Sequence, residues 1–291
     1  MVLRLKLSTV WMSVGLASAI LLSGCADSTY DPTKDWSVDK LYNEAKDEMA
    51  AGGYDKAIGM YEKLEGRAAG TPLAQQAQLD KAWAQYKTNE PVQAVATLDR
   101  FIKLHPASPA LDYALYLKGL VNFNDNLGLM SSVAEQDLAE RDPKQAKESF
   151  ESFRELVVRF PDSKYAADAR LRMAFIKNSL ARSDVHVARF YYQRGAYVAA
   201  INRAQITVQE YRDVPAVEEA LFIMVQSYDK LGLNQLRDDT KRVLETNYPD
   251  TAFLYPERKA AKKSWWKFWQ GLLGSSLLKT EPKLQPFVAD A

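Results

Sequence analysis

The chain of 291 residues has few of the residues that build disulfides and metal sites, since it contains one cysteine and two histidines. A single cysteine excludes an internal disulfide framework and any cysteine-based zinc site, and His105 and His186 are too few for an imidazole metal centre. Neither sign of charge is in excess, because the 38 basic residues nearly balance the 37 acidic ones and leave a net charge of +1. Without a basic excess, nucleic acid is disfavoured as a partner.

Sequence patterns typical of catalysis are equally scarce. Neither the phosphate-binding loop nor the dinucleotide-binding glycine pattern occurs. His105 precedes Pro106 and is typical of a loop, and His186 has no motif around it, so no serine-histidine-aspartate arrangement can be argued. Acidic residues alternate with basic ones, as on a solvated helix face. We therefore predict a protein that is not an enzyme and holds no metal ion.

The first 24 residues have the pattern of a signal peptide. Arg4 and Lys6 precede an apolar stretch that is shorter and richer in serine than a membrane-spanning helix. The stretch ends in Leu-Ser-Gly-Cys at residues 22–25, which resembles the bacterial lipobox. This resemblance implies that Cys25 carries an S-diacylglycerol and an N-acyl chain and becomes the first residue of the mature protein. The alternative is that Cys25 is a small apolar residue beside an ordinary cleavage site.

The residue after Cys25 bears on localisation. Ala26 stands where bacterial lipoproteins retained in the inner membrane have an aspartate, so the resemblance implies sorting to the outer membrane, facing the periplasm. Acyl chains would provide the anchor, and no other cofactor is expected. Residues 25–37 are otherwise polar, which predicts a lipidated cysteine followed by a flexible tether.

From Val38 onwards, apolar residues recur at helical spacing, and prolines recur after apolar helix ends. The intervals between these prolines are 34, 55, 54 and 34 residues, and 34 is the tetratricopeptide period. The pattern predicts an all-α tetratricopeptide-repeat superhelix of about five helix-turn-helix units, two of which carry insertions. The alternative is a plain helical bundle. The predicted units are 38–71, 73–106, 109–161, 164–213 and 215–249, with insertions near 124–143 and as an extra helix over about 165–180.

Two stretches are unusual for a pure scaffold. One is rich in tyrosine and arginine, over residues 187–197, and such residues are enriched at interface hot spots. The other is a basic, tryptophan-rich tail over residues 256–291, in which a helix is predicted before a disordered end. The tail residues proposed to contact a membrane or a partner are Trp265, Trp266, Lys267 and Trp269. An equally weighted alternative is a helix that caps the exposed end of the repeats.

Three segments resemble the BamD (ComL) family, the tetratricopeptide lipoproteins of the outer-membrane β-barrel assembly machinery. They are residues 99–106 (DRFIKLHP), 141–143 (RDP) and 191–199 (YYQRGAYVA). The resemblance implies a non-enzymatic scaffold whose partners are the periplasmic domains of BamA, accessory Bam lipoproteins and unfolded outer-membrane proteins. Repeats 1–3 (38–161) would bind substrate, and repeats 4–5 (162–255) would bind BamA. A tail beyond residue 255 departs from the best-known members.

The resemblance also implies site residues. Arg203 matches the family arginine that faces an acidic residue of BamA, with Asn202 and Tyr197 beside it and Arg194 in the same stretch. For the pocket that receives the end of a substrate chain, the expected residues are Tyr86, Tyr113, Tyr116 and Asn122, with packing between helices as the alternative.

Two other functions remain open at the level of sequence. One is a repeat lipoprotein that assembles a pilus secretin, and the other is a cell-wall enzyme or a peptidoglycan-associated protein. The second is disfavoured because the sequence has no catalytic constellation, and the first is disfavoured by the segments at 99–106 and 191–199.

Overall fold

A computed structural model describes residues 31–123 and 143–255, and every regular element in these ranges is an α-helix. The ten helices are α1 (Val38–Ala50), α2 (Tyr54–Arg67), α3 (Pro72–Lys87), α4 (Pro91–Leu104), α5 (Leu111–Phe123), α6 (Pro143–Arg159), α7 (Ala166–Gln193), α8 (Tyr197–Glu210), α9 (Ala216–Lys230) and α10 (Asn234–Asn247). The helices pair in chain order as α1–α2, α3–α4, α5–α6, α7–α8 and α9–α10. The predicted all-α architecture of five helix-turn-helix units is confirmed.

Each helix packs against the next, and the long α7 also contacts α9. We call the first helix of each unit its A helix and the second its B helix. Small residues allow the two helices to approach closely, as the sequence predicts. The alanines that are fully buried at these contacts include Ala45, Ala57, Ala82, Ala94, Ala188 and Ala200. Since one pair of helices cannot bury both of its apolar faces, the units must stack.

Unit 4 differs from the prediction of a separate extra helix over about 165–180. Residues 166–193 instead form one continuous helix of 28 residues. Its first turn reaches α5, because the hydroxyl of Tyr116 donates a 2.7 Å hydrogen bond to Asp168. Two-thirds along the helix, Asp184 forms an ion pair with Arg203 of α8. The extra residues therefore lengthen the A helix that joins the two halves of the array.

Residues 31–37, predicted as part of a flexible tether, contact the first unit in the structure. Lys63 of α2 donates a 2.6 Å hydrogen bond to Asp31, and Arg67 donates to the carbonyl of Thr33 at 2.7 Å. Thr33 is buried, and Trp36 packs against the core of unit 1. These contacts, which we call the N-terminal clamp, shorten the segment that can act as a tether.

Several predictions fall outside the described residues. They concern the signal peptide (1–24), Cys25, the insertion over 124–142 and the tail from residue 256, with Trp265, Trp266, Lys267 and Trp269. Within the two described ranges, no helix has both the length and the hydropathy of a membrane span.

Candidate functional site

The turn between α7 and α8 presents the tyrosine- and arginine-rich stretch at the surface. Gly195 adopts φ 77°, which lets the chain reverse between the two helices. Arg194 is exposed, and its guanidinium lies 4.6 Å from the ring centre of Phe190. The ring of Tyr197 contacts that of Tyr192 at 5.6 Å. The turn therefore exposes cationic and aromatic surface together.

Arg203 lies one turn and a half further along α8 and forms an ion pair within the chain. Its Nε atom is 3.1 Å from a carboxylate oxygen of Asp184 on α7. The Asp184 side chain is 15% exposed, whereas that of Arg203 is 40% exposed, so part of the arginine remains open to a partner. Burial raises the pKa of Asp184, and the nearby Arg203 opposes this rise. No sequence pattern predicts this ion pair, because Asp184 and Arg203 lie on different helices.

Exposed apolar side chains surround these residues. Phe190, Tyr191 and Val198 are all exposed, and Asn202 lies one helical turn after Val198 on the same face of α8. At the corresponding turn of the next unit, Leu231 and Leu233 are exposed as well. The structure thus places Arg194 at the turn between α7 and α8, Tyr197 at the first residue of α8, and Asn202 and Arg203 near the middle of α8. Exposed aromatic residues interleaved with arginine have the composition of interface hot spots.

The four residues predicted for the substrate pocket do not assemble into one. Tyr116 is 3% exposed and Asn122 is 7% exposed, so neither offers surface to a peptide. The ring of Tyr116 is stacked at 4.7 Å on that of Tyr165, and its hydroxyl bonds Asp168. These two residues are corrected to core positions, because α6 packs against α5 and because Tyr165 and Asp168 contact Tyr116.

The other two pocket residues are partly buried. Tyr86 contacts the ring of Trp83 at 5.5 Å, and Tyr113 contacts that of Tyr165 at 5.7 Å. Both pack against the core formed by α3, α4 and α5. Their rings therefore contribute first to packing, and only their remaining exposed edges can meet a ligand.

Polar bonds join successive A helices, and sequence reasoning missed them. Tyr42 of α1 donates a 3.0 Å hydrogen bond to Asp80 of α3, and Gln76 donates to the same carboxylate at 2.9 Å. Burial raises the pKa of Asp80 to about 6. Further along, Ser163 donates to Asp112 at 2.6 Å. The spacing of polar residues within one helix carries no signal for such bonds between units.

In residues 31–123 and 143–255, no group of three or more His, Cys, Asp or Glu side chains could hold a metal ion. The surfaces that the structure does present suit the binding of other chains.

The chain is similar to known proteins of one family. The family YfiO, described as an outer membrane lipoprotein, matches residues 34–244. The outer membrane protein assembly factor BamD of Neisseria meningitidis is 47% identical over 89% of this chain and 97% of its own length. The BamD of Vibrio cholerae is 36% identical over 80% of this chain and 96% of its own.

Among solved structures, a kinesin light chain of Podosopora anserina with TPR-like repeats aligns with 74% of this chain and 97% of its own. Its TM-score is 0.32 and its sequence identity is 12%. The family matches most of the chain, and the relatives are 36–47% identical to it. These two findings show to which family the chain belongs. It belongs to the BamD (YfiO) family of outer membrane lipoproteins.

Proposed function

We propose that this protein is a scaffold of outer-membrane protein assembly, which acts by binding other chains and not by catalysis. The observation that carries the proposal is the 47% identity to a relative named outer membrane protein assembly factor, over 97% of that relative's length. An identity that extends over all five units favours a shared function as well as a shared fold.

The anchor is the lipid proposed on Cys25, which would hold the protein on the periplasmic face of the outer membrane. Two acyl-bearing groups on one residue suffice for stable attachment without a spanning helix. The family description as an outer membrane lipoprotein supports this part of the proposal. The N-terminal clamp begins at Asp31, six residues after Cys25, so the first unit would lie close to the membrane surface.

The proposed surface for BamA comprises Arg194, Tyr197, Asn202 and Arg203. Its support is that these residues lie at the α7–α8 turn and on the first half of α8, where Phe190 and Val198 are also exposed. Arg203 would meet an acidic residue of the periplasmic domains while Asp184 holds its Nε atom. Breaking a charge pair that is buried at an interface costs about 2–5 kcal/mol, because the other charge is left unpaired.

Unfolded outer-membrane proteins would bind along the A helices of units 1–3. The side chains that support this are Tyr86 and Tyr113, whose partly exposed rings offer aromatic surface on α3 and α5. Accessory Bam lipoproteins are also proposed as partners, and we propose no residues for their binding.

A titration of residues 26–291 against the periplasmic domains of the cognate BamA tests the function and the surface together. We expect tight binding that the variant Arg203→Glu weakens by at least about tenfold, or about 1.4 kcal/mol. Arg242→Glu is the matched control, because Arg242 is an exposed arginine on another unit. Binding that ignores Arg203→Glu would retain the family function and discard this surface. Absence of any binding would contradict the proposed function.

A further inference from the structure

The ion pair of unit 4 occupies two positions that are neutral in other units. The turns between A and B helices can be aligned on their residue with a positive φ angle, which is Gly52, Asn89, Gly195 or Gly232. Asp184 stands 11 residues before Gly195, and Arg203 stands eight residues after it. The residues at the same distances are Leu41 and Met60 in unit 1, Gln78 and Thr97 in unit 2, and Leu221 and Thr240 in unit 5. Among the turns that the structure describes, this pair of opposite charges is therefore specific to unit 4.

Asp184 lies at a position that suits an apolar side chain. Its counterparts Leu41 and Leu221 are 0% and 4% exposed and belong to the apolar core. The side chain of Asp184 is 15% exposed, and this burial is the main cause that raises the pKa of its carboxyl. A carboxylate at such a position loses hydration that a leucine does not need. The stability of the fold alone therefore does not account for Asp184.

The pair is also incomplete as a structural bond. The Nε atom of Arg203 is buried and lies 3.1 Å from the carboxylate of Asp184, yet its N–H makes no hydrogen bond within the described part of the chain. A buried donor that lacks a hydrogen bond is destabilising. Replacement of a buried ion pair by apolar residues commonly leaves stability unchanged or raises it. The attraction between the two charges thus fixes the guanidinium without an evident gain for the fold.

The pair fixes one side of the guanidinium and leaves the rest of the side chain accessible. Because Nε is buried while the whole side chain of Arg203 is 40% exposed, the exposed part lies away from Nε. A guanidinium carries five N–H donors in a planar fork, so it can bond two carboxylates at once. Asp184 is the one acidic residue that forms an ion pair with it over the described ranges. The terminal nitrogens therefore remain for an acid that belongs to a partner.

Asp184 has two opposite effects on the binding of such an acid. A long side chain that is already held loses less freedom when a partner arrives, which favours binding. The negative charge of Asp184 also offsets part of the positive charge of Arg203, which weakens its attraction to another acid. We expect the first effect to be larger, because Asp184 lies on the buried side of the guanidinium and leaves the exposed side uncovered.

We infer that Asp184 is a positioning residue of the BamA surface. It holds the buried side of the Arg203 guanidinium, so that the terminal nitrogens meet an acidic group of the partner in a fixed geometry. This inference rests on the proposed function, in which Arg203 binds an acidic residue of BamA. It also explains why unit 4 has a charged pair where the turns of units 1, 2 and 5 have neutral residues.

A double-mutant cycle tests this role. Residues 26–291 are titrated against the periplasmic domains of the cognate BamA as wild type, Asp184→Asn, Arg203→Gln and the double variant. Asp184→Asn removes the charge and keeps the shape, and it should weaken binding about threefold to tenfold, because a free arginine must then be ordered on binding. In the Arg203→Gln background, the same substitution should change the affinity by less than about twofold.

Further variants separate positioning from packing. Asp184→Glu keeps the carboxylate and should restore most of the affinity. Asp184→Leu copies units 1 and 5, so it should be at least as stable in urea as the wild type and yet bind as weakly as Asp184→Asn. Asp99→Asn is the matched control, because Asp99 forms a 2.6 Å ion pair with Lys118 between α4 and α5, in other units. This control should bind like the wild type.

A second readout needs no partner. The nuclear magnetic resonance signal of the Arg203 Nε–H group can be assigned by its loss in Arg203→Gln. In the free protein, this proton should exchange with water faster in Asp184→Asn than in the wild type, because the guanidinium is released from its buried position. An exchange rate that Asp184→Asn leaves unchanged would overturn the inference.

The titrations distinguish failure of the inference from failure of the proposed function. Equal weakening by Asp184→Asn in both backgrounds would overturn the inference and make Asp184 a packing residue. Unchanged or tighter binding of Asp184→Asn would overturn it too, whereas weak binding of Arg203→Gln would still support the proposed surface. Absence of binding by the wild type would contradict the proposed function and the inference together.

Discussion

At the scale of single residues, Gly119 marks a close approach of α5 and α6 in the core. A Cβ atom at this position would lie 2.4 Å from the ring of Phe153, and the carbonyl of Gly119 accepts a 2.8 Å hydrogen bond from the buried Ser149. Gly119→Ala should therefore lower the free energy of unfolding by about 1–3 kcal/mol, because α5 and α6 must move apart. Urea unfolding of residues 26–291 measures this change.

The matched control is Gly59→Ala on α2, where a Cβ atom would have no neighbour within 4 Å. This change should raise the free energy of unfolding by about 0.5–1 kcal/mol, because alanine favours a helix over glycine. Equal effects of the two substitutions would contradict a close approach at Gly119.

Asp80 should make stability depend on pH. Burial is the main cause that raises its pKa from 3.8 to about 6, against the hydrogen bonds from Gln76 and Tyr42 and the charge of Lys46. The folded state therefore binds this proton more tightly than the unfolded state. As pH falls from 7 to 4, protonation of Asp80 should stabilise the fold by up to about 2–3 kcal/mol.

Asp80→Asn tests this contribution, since the amide is neutral at every pH. We expect the variant to be more stable than the wild-type protein at pH 7 and the difference to shrink towards pH 4. Denaturant unfolding at several pH values measures the difference. A difference that stays constant with pH would mean that Asp80 does not titrate in this range.

Residue roles were only partly predictable from the sequence. Arg203 was found through a family motif, but its partner Asp184 lies on another helix and belongs to no motif. Tyr113 and Tyr116 have the spacing of one helix face, yet only the structure shows that both turn towards Tyr165. Periodicity identifies a face of a helix, whereas the neighbouring units decide whether that face is covered.

At the scale of elements, the repeat period predicted all five units because each unit ends in a similar turn. Prolines at 106, 161 and 249 follow helix ends at which the chain must leave the helix. The length of α7 was not predictable in this way, since residues 166–193 contain no glycine or proline to mark where a regular A helix would stop. Its extent follows from contacts with α6 and α8.

The N-terminal clamp is a second element that the polar composition of residues 31–37 did not predict. Asp31 receives hydrogen bonds from Lys63 and from Thr33, and these bonds hold the pKa of its carboxyl well below the usual range. Asp31→Ala should release residues 31–37, so that their amides exchange hydrogen faster by about tenfold or more. Asp35→Ala, at an exposed position on the same segment, should leave the exchange unchanged. Similar exchange in both variants would show that Asp31 does not hold the segment.

At the scale of the whole molecule, the clamp fixes how far the array can lie from its proposed anchor. The six residues from Cys25 to Asp31 span at most about 20 Å. The proposed BamA surface lies three units further along the array. With the proposed anchor at one end and the proposed binding surface near the other, that surface would be held at a high effective concentration for a membrane-embedded partner.

Insertion of about 30 Gly and Ser residues after Ser28 should weaken this coupling without touching the surface itself, because the flexible linker widens the volume that the array explores. We expect recovery of the membrane complex to fall, while the affinity of the soluble form for the periplasmic domains of BamA stays unchanged. Co-purification from membranes and a titration in solution measure the two quantities. The same number of Gly and Ser residues added after Ala291 controls for added chain. If both additions lowered recovery equally, anchor length would not be what positions the array.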